Sequence, residues 1–234
     1  MDAVTHCTVI ELRQYTLHPG QREVLIELFE REFLQAQEAG GIGVIGQFRD
    51  LGDPDRFVWL RGFADMPSRA RALQAFYGGP VWQAHRERAN ATLVDSDNVL
   101  LLRPATAARF ELAPRPGADV NEATFHGGLV VATVCPLASP ASPALLEHFD
   151  HVLKPALQRS GASILGVFET ENSANNYPRL PVRDGEQVFV WLSGHRDRAN
   201  AEGEAAALAG LQPWLRAAPQ VLRLEPTTHS RMHV

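Results

Sequence analysis

A chain that writes one strand twice is constrained by that repetition more than by its composition. Residues 57–63 read FVWLRGF and residues 189–195 read FVWLSGH, five identical letters of seven at a spacing of 132. The correspondence continues in order. Trp82 and Trp214 keep the same spacing, GQF at 46–48 answers GVF at 166–168, and VLLLRP at 99–104 answers VLRLEP at 221–226. The spacing drifts between these landmarks. The obvious insertion is ENSANNYPRLPVRDGEQ (171–187), whose Asn, Pro and Gly content reads as a long loop. Order kept while loops vary is how a duplicated structural unit behaves.

Each copy reads β-α-β-β-α-β. In the first, residues 8–17 are a strand rich in β-branched and aromatic residues, stopped at His18-Pro19-Gly20. Residues 21–40 place Leu25, Leu28, Phe29, Phe33 and Ala36 at helical spacing. A hairpin follows, with strands 43–49 and 57–63 around the turn LGDPD. A helix starts near Pro67, breaks at Gly78-Gly79-Pro80 and restarts at Val81-Trp82, and residues 98–104 form the last strand. The second copy repeats this with a strand over 128–135, a helix opened by Ser142-Pro143, hairpin strands over 164–170 and 188–194, an Ala-rich helix near 199–217 and a strand over 220–226. Pro155 is expected to kink or end its helix, and the terminal THSRMHV to fray. The division is residues 1–104 for the first repeat, 105–126 for an extended linker and 127–234 for a second, diverged repeat.

A β-α-β-β-α-β unit is ferredoxin-like, with helices on one sheet face and nothing on the other. A second identical sheet can cover the bare face. The expected fold is therefore α+β: two tandem ferredoxin-like repeats, set face to face, forming an intramolecular dimeric α/β barrel. In the FVWL strand Phe57 and Trp59 would face one side and Val58 and Leu60 the other, both apolar.

Composition excludes several functions. A net charge of -5 offers no basic face to nucleic acid. No apolar run is long enough to cross a bilayer, and MDAVTHCTVIELRQY does not read as a secretory signal. Cys7 and Cys135 form no CxxC pair and read as buried thiols in a reducing compartment, so the expected location is cytoplasmic. GxGxxG, Walker, HExxH, GxSxG and Cys/His zinc patterns are absent, which points to no cofactor held in the usual ways and no metal. His148 and His151 stand three apart beside Glu147 but lack a third ligand.

Strand parity gathers the candidate chemistry in the first copy. Glu11, Arg13 and Tyr15 share one face of the first strand, and Trp59, Arg61 and Phe63 one face of the third, its neighbour in this topology. Two arginines beside an aromatic wall suit a small carboxylate, phenolate or enolate. The plain alternative is a structural ion pair of Glu11 with the arginines. Trp82, His85 and Arg86 follow the Gly-Gly-Pro break, with Trp82 and His85 on one helical face. Read for function, Arg13, Arg61 and His85 are the catalytic candidates, and Glu11, Tyr15, Trp59, Trp82 and Arg86 the ligand-binding ones. Read for structure, Trp82 is core and His85 a boundary residue.

The stretches IELRQYTLHPGQ, DPDRFVWLRGFADM and AFYGGPVWQAHRERANATLVDSDNVLLLRP resemble the bacterial NIPSNAP family, within the dimeric α/β-barrel superfamily. The resemblance spans residues 9–104 closely and 128–226 weakly, where AFYGGPVW has become AALAGLQPW. It implies the barrel fold and further self-association into a homodimer of the two-repeat chain. It implies little chemistry. The wider superfamily includes cofactor-independent oxygenases, haem-degrading enzymes, cyclases and isomerases. Small-molecule catalysis in the first repeat is the reading drawn here, beside a non-catalytic binding or scaffold protein.

Overall fold

Eight strands close into one barrel, built twice from the same four-stranded motif. A computed structural model describes residues 4–115, 128–196 and 208–234. The first repeat runs β1 (His6–Cys7), β2 (Val9–Leu17), α1 (Arg22–Leu28), a π-helical turn (Phe29–Phe33), α2 (Leu34–Ala39), β3 (Gly43–Asp50), β4 (Arg56–Phe63), α3 (Met66–Gly78), α4 (Pro80–Asn90) and β5 (Leu93–Pro104). A short β6 (Phe110–Glu111) pairs with β1. The second repeat runs β7 (Leu129–Pro136), α5 (Pro143–His148), another π-helical turn (Phe149–Leu153), α6 (Lys154–Arg159), β8 (Ser163–Thr170), β9 (Val188–His195), a 3-10 helix (Leu208–Trp214) and β10 (Gln220–Pro226).

Around the barrel the order is β10-β3-β4-β2-β5-β8-β9-β7. Each half is thus second-third-first-fourth, the ferredoxin-like order. The halves are more than sheets set face to face, because their edges also hydrogen-bond. β5 meets β8 through Leu102↔Thr170, Arg103↔Glu169 and Pro104↔Phe168. β10 meets β3 through Leu224↔Asp50, Glu225↔Arg49 and Pro226↔Phe48. A free edge leaves N–H and C=O groups unmet, and closing both seams leaves the barrel itself with no edge.

Strand alternation then sorts the core. Ile10, Leu12, Val58 and Leu60 point inward and meet Val130, Ala132, Val190 and Leu192 in a filled barrel interior. Phe57, Trp59 and Phe63 point outward under the helices of the first repeat. Phe189 and Trp191 do the same in the second. The GQF/GVF correspondence has a steric cause. A Cβ on Gly46 would lie 2.5 Å from the Phe48 ring, and one on Gly166 2.6 Å from the Phe168 ring. Both glycines sit beside an irregularity in strand register.

Several local expectations are corrected. β5 begins at Leu93, five residues earlier than its apolar run. The helix of the second repeat continues through Pro155 to Arg159. Pro155 stands just after the π-helical turn Phe149–Leu153, and the backbone before it, at Leu153, is already helical. The tail is not frayed: Thr227 and Ser230 are buried and Met232 joins the barrel core. Arg231 ties it to Glu38 at 2.9 Å. Of the Ala-rich helix, residues 199–207 lie outside the described residues, and Leu208–Trp214 is 3-10 with Pro213 inside it. Half of the expected linker, residues 116–126, also lies outside them. His148, at the boundary of its helix, packs its ring 5.1 Å from that of Trp214. Cys7 and Cys135 are free, and burial pushes each thiol up to about 12. Among the described residues no helix is long and apolar enough to cross a membrane.

Candidate functional site

Register, more than distance along the chain, assembles the site. In the β2–β4 pair, Glu11 stands opposite Arg61 and Arg13 opposite Trp59. All four lie on the sheet face covered by the helices, so cross-strand neighbours become contact partners. Arg13 Nη1 donates to Glu11 Oε2 at 2.6 Å, and Arg61 Nε donates to the same oxygen at 2.8 Å. The other carboxylate oxygen accepts from Arg69 Nε at 2.7 Å. Arg69 reaches it because α3 begins where it does. Asp65 caps that helix, its Oδ1 accepting from the Ser68 N–H at 2.6 Å, with Pro67 in the first turn.

Glu11, Arg61 and Arg69 are wholly buried and Arg13 is nearly so. Burial alone would push the Glu11 carboxyl up, but Arg61, Arg13 and Arg69 outweigh it and hold it well below the usual carboxylate range. Three guanidiniums share one carboxylate, leaving two positive charges in excess inside the protein. Among the described residues, Nη2 of Arg61 and Nη2 of Arg69 have no hydrogen-bond partner. Aromatic faces take part of that charge, with the Arg61 guanidinium 5.1 Å from the Trp59 ring and that of Arg13 5.4 Å from the Tyr15 ring. Arg13 Nε also donates to Tyr15 Oη at 2.9 Å. Burial raises the Tyr15 hydroxyl above its ordinary value despite Arg13, so it stays a neutral phenol.

Beside this cluster, between sheet and helices, is a cavity of about 330 Å³. Arg13, Tyr15 and Trp59 line it from the sheet, Phe29 and Phe33 from the π-helical turn, and Trp82 and Arg86 from α4. Such turns recur at functional sites because they swing consecutive side chains off the regular helical path. Gln37 and Tyr177 also line the cavity, and Gln37 Oε1, Trp59 Nε1 and Tyr177 Oη are buried without partners among the described residues.

The structure gathers Glu11, Arg13, Tyr15, Trp59 and Arg61 as parity required, and adds Trp82 and Arg86 at the cavity wall. Glu11 and Arg61 lie behind the wall rather than in it. His85 is not among the lining residues; its ring stands 3.4 Å from a Glu32 oxygen and 6.3 Å from the Phe33 ring. Two contributors escaped sequence reasoning. Arg69 is one, although a buried arginine four residues after a helix cap could have been sought opposite the lone carboxylate Glu11. The other is the loop 171–187 of the second repeat, which carries Tyr177, Arg179 and Leu180 into the cavity of the first. Only its length was readable.

Among the described residues the second repeat has no matching charge cluster. Val131 stands opposite Ser193 and Thr133 opposite Trp191, so the places of Glu11, Arg13 and Arg61 are taken by Val131, Thr133 and Ser193. His195 Nε2 lies 3.2 Å from Ser193 Oγ, both buried.

Comparison with known proteins agrees with this architecture. Two solved structures match over the whole chain. A suggested monooxygenase from Fusobacterium nucleatum has 9% identity and a TM-score of 0.56, covering 100% of this chain and 98% of its own. One from Lactobacillus acidophilus has 14% identity and a TM-score of 0.55, with 99% of each chain covered. A NIPSNAP-like domain protein from Burkholderia xenovorans is 28% identical, with a TM-score of 0.41 over 48% of this chain and 97% of its own. No curated protein matches the sequence. The NIPSNAP family model matches residues 10–109, the part of the chain that holds the charge cluster and most of the cavity wall.

Proposed function

We propose that this protein binds a small aromatic anion in the cavity of its first repeat and stabilises negative charge on it. The observation that carries the reading is the surplus of buried guanidinium charge beside an aromatic-walled cavity. A purely structural ion pair needs one cation per carboxylate, and uncompensated buried charge is costly. A bound anion would offset that cost. Arg13 is the group within reach of such a ligand. Glu11 and Arg61 act as positioning residues that fix its guanidinium. Tyr15, held neutral, supplies a phenolic O–H beside it, and Trp59 and Trp82 form apolar walls. Arg86, exposed at the rim, attracts anions to the mouth.

A fixed positive centre in an apolar site favours the conjugate base of a ligand over its neutral form. That is the electronic demand shared by cofactor-independent oxygenation, isomerisation and cyclisation. A reaction of this type is the extension of the binding reading, with Arg13 facing the developing enolate or phenolate. His85, turned toward Glu32, has no part in it. The scaffold reading draws less support. Among the described residues, the large apolar side chains left exposed, Leu51, Val94, Val152 and Val221, come from four separate stretches of chain.

The test is charge selectivity. Titration of 2-naphthoate, followed by Trp59 and Trp82 fluorescence, is compared with its uncharged amide. The anion is expected to bind more tightly, and Arg13→Gln to weaken the anion alone by about 1.5–3 kcal/mol, the worth of a hydrogen bond to a charged group. Equal binding of acid and amide, or an unaltered anion affinity in the variant, would refute the proposal.

A further inference from the structure

The loop Glu171–Gln187 is long only in the second repeat, where it joins β8 to β9. The corresponding turn of the first repeat, between Asp50 and Arg56, is short. A surface hairpin needs no such length for its own sake, and what the longer loop touches is the other repeat. Its feet rest on β5, with the Glu171 N–H donating to Leu101 O at 2.9 Å and the Arg183 N–H to Val99 O at 2.8 Å. Between the feet, side chains make the hydrogen bonds to the first repeat. Arg69 Nη1 donates to Asn175 Oδ1 at 3.0 Å and to Asn176 Oδ1 at 2.8 Å, and Asn176 Nδ2 donates to Met66 O at 2.6 Å. The Tyr177 ring stacks on Tyr77, centroids 6.2 Å apart. From there Tyr177, Arg179 and Leu180 complete the cavity wall.

From these contacts we infer that the loop of the second repeat is the gate of the first repeat's cavity, latched by Arg69 and sensitive to what Arg13 binds. This rests on the ligand reading above.

Three observations separate a gate from a fixed wall. First, the loop is underpacked, with a second cavity of about 180 Å³ lined by Leu101 and loop residues such as Asn172, Val182 and Gln187. Segments with few buried apolar contacts open at low free energy. Second, Tyr177 is buried at the cavity while its hydroxyl has no partner among the described residues, a cost that a guest offering a hydrogen bond would remove. Third, the latch is wired to the charge cluster. Arg69 holds Glu11 with Nε and the two asparagines with Nη1, so one rigid guanidinium links the carboxylate of the site to the tip of the loop. An anion on Arg13 competes with Glu11 for that guanidinium. Glu11 then leans more on Arg61 and Arg69, which shifts Arg69 relative to its asparagines. Site occupancy and gate position are thereby coupled through a contiguous hydrogen-bond network. Division of labour between the repeats follows, with the first holding the ligand and the second controlling its passage.

Stopped-flow binding of 2-naphthoate and hydrogen exchange of the peptide spanning 171–187 test this on the full chain. The double change Asn175→Ala and Asn176→Ala removes the latch from side chains outside the core. It is expected to speed association and dissociation of 2-naphthoate together by roughly tenfold, leaving Kd within a few-fold. It should also speed exchange of the loop. In the wild type 2-naphthoate should change loop exchange, and in Arg69→Gln that response should disappear. If 2-naphthoate binds but its rates and the loop exchange are the same with and without the asparagines, the gate is overturned while the ligand site stands. If neither 2-naphthoate nor 1-anilinonaphthalene-8-sulfonate binds the wild type, the ligand reading fails and the gate with it. A folding defect in Arg69→Gln would leave the asparagine result to decide.

Discussion

Glu11 is the residue on which the site turns, and its worth can be argued from what surrounds it. Removing its charge strands three buried guanidiniums with no carboxylate among them. Breaking a buried ion pair by deleting one partner costs about 3–5 kcal/mol, so Glu11→Gln should lower unfolding free energy by that order. The dependence on pH has a definite sign. The carboxyl is held below its unfolded value of roughly 4.3, so its contribution is complete above about pH 5. It is lost as pH falls further toward the folded value. Urea midpoints measured from pH 7 down to pH 3 should drop in the wild type and flatten in Glu11→Gln. A variant whose midpoints parallel those of the wild type at every pH would show that the carboxylate is not clamped. At this scale the sequence was legible because alternation along a strand is strict. Glu11, Arg13 and Tyr15 had to share a face, and so did Trp59 and Arg61. What parity does not specify is depth. Arg61 and Glu11 fell behind the cavity wall, and His85, on a helix whose rotation the sequence leaves loosely determined, turned toward Glu32.

Elements carry the memory of the duplication in their irregularities. Both repeats interrupt the first helix with a π-helical turn, and both place a glycine two residues before a phenylalanine whose ring folds back over it. The shared GxF is therefore a packing rule, in which the ring fills the barrel interior only if the facing residue has no Cβ. Gly46→Ala and Gly166→Ala should each destabilise by about 1–3 kcal/mol, the usual cost of overfilling a packed core. Denaturant unfolding measures it, and near-neutral values at both positions would refute the steric explanation. The start of α5 was readable for the same local reasons, since Ser142 caps as its position suggested, whereas the Asp65 cap of α3 emerged only in the structure. Pro155 misled because the π-helical turn before it could not be read from periodicity.

At the scale of the whole molecule, the two seams decide the architecture. Each is only three residue pairs long, yet each caps an edge that would otherwise expose unpaired backbone. The first repeat expressed alone would present the edges of β3 and β5 and the apolar face of Ile10, Leu12, Val58 and Leu60. It should therefore recover the barrel by pairing with a second copy of itself, giving a dimer by light scattering. A stable, folded monomer would contradict the requirement for closure. Sequence alone determined the repeat, the strand order within each half, the apolar alternation and the cluster of charge on one face, because these follow from periodicities of two and of about three and a half residues that operate locally. The tertiary structure decided the rest: that the edges join, that Arg69 completes the cluster, and that a loop from one repeat closes the cavity of the other. Those contacts link residues up to a hundred or more positions apart, and no local pattern encodes a meeting that only barrel closure brings about.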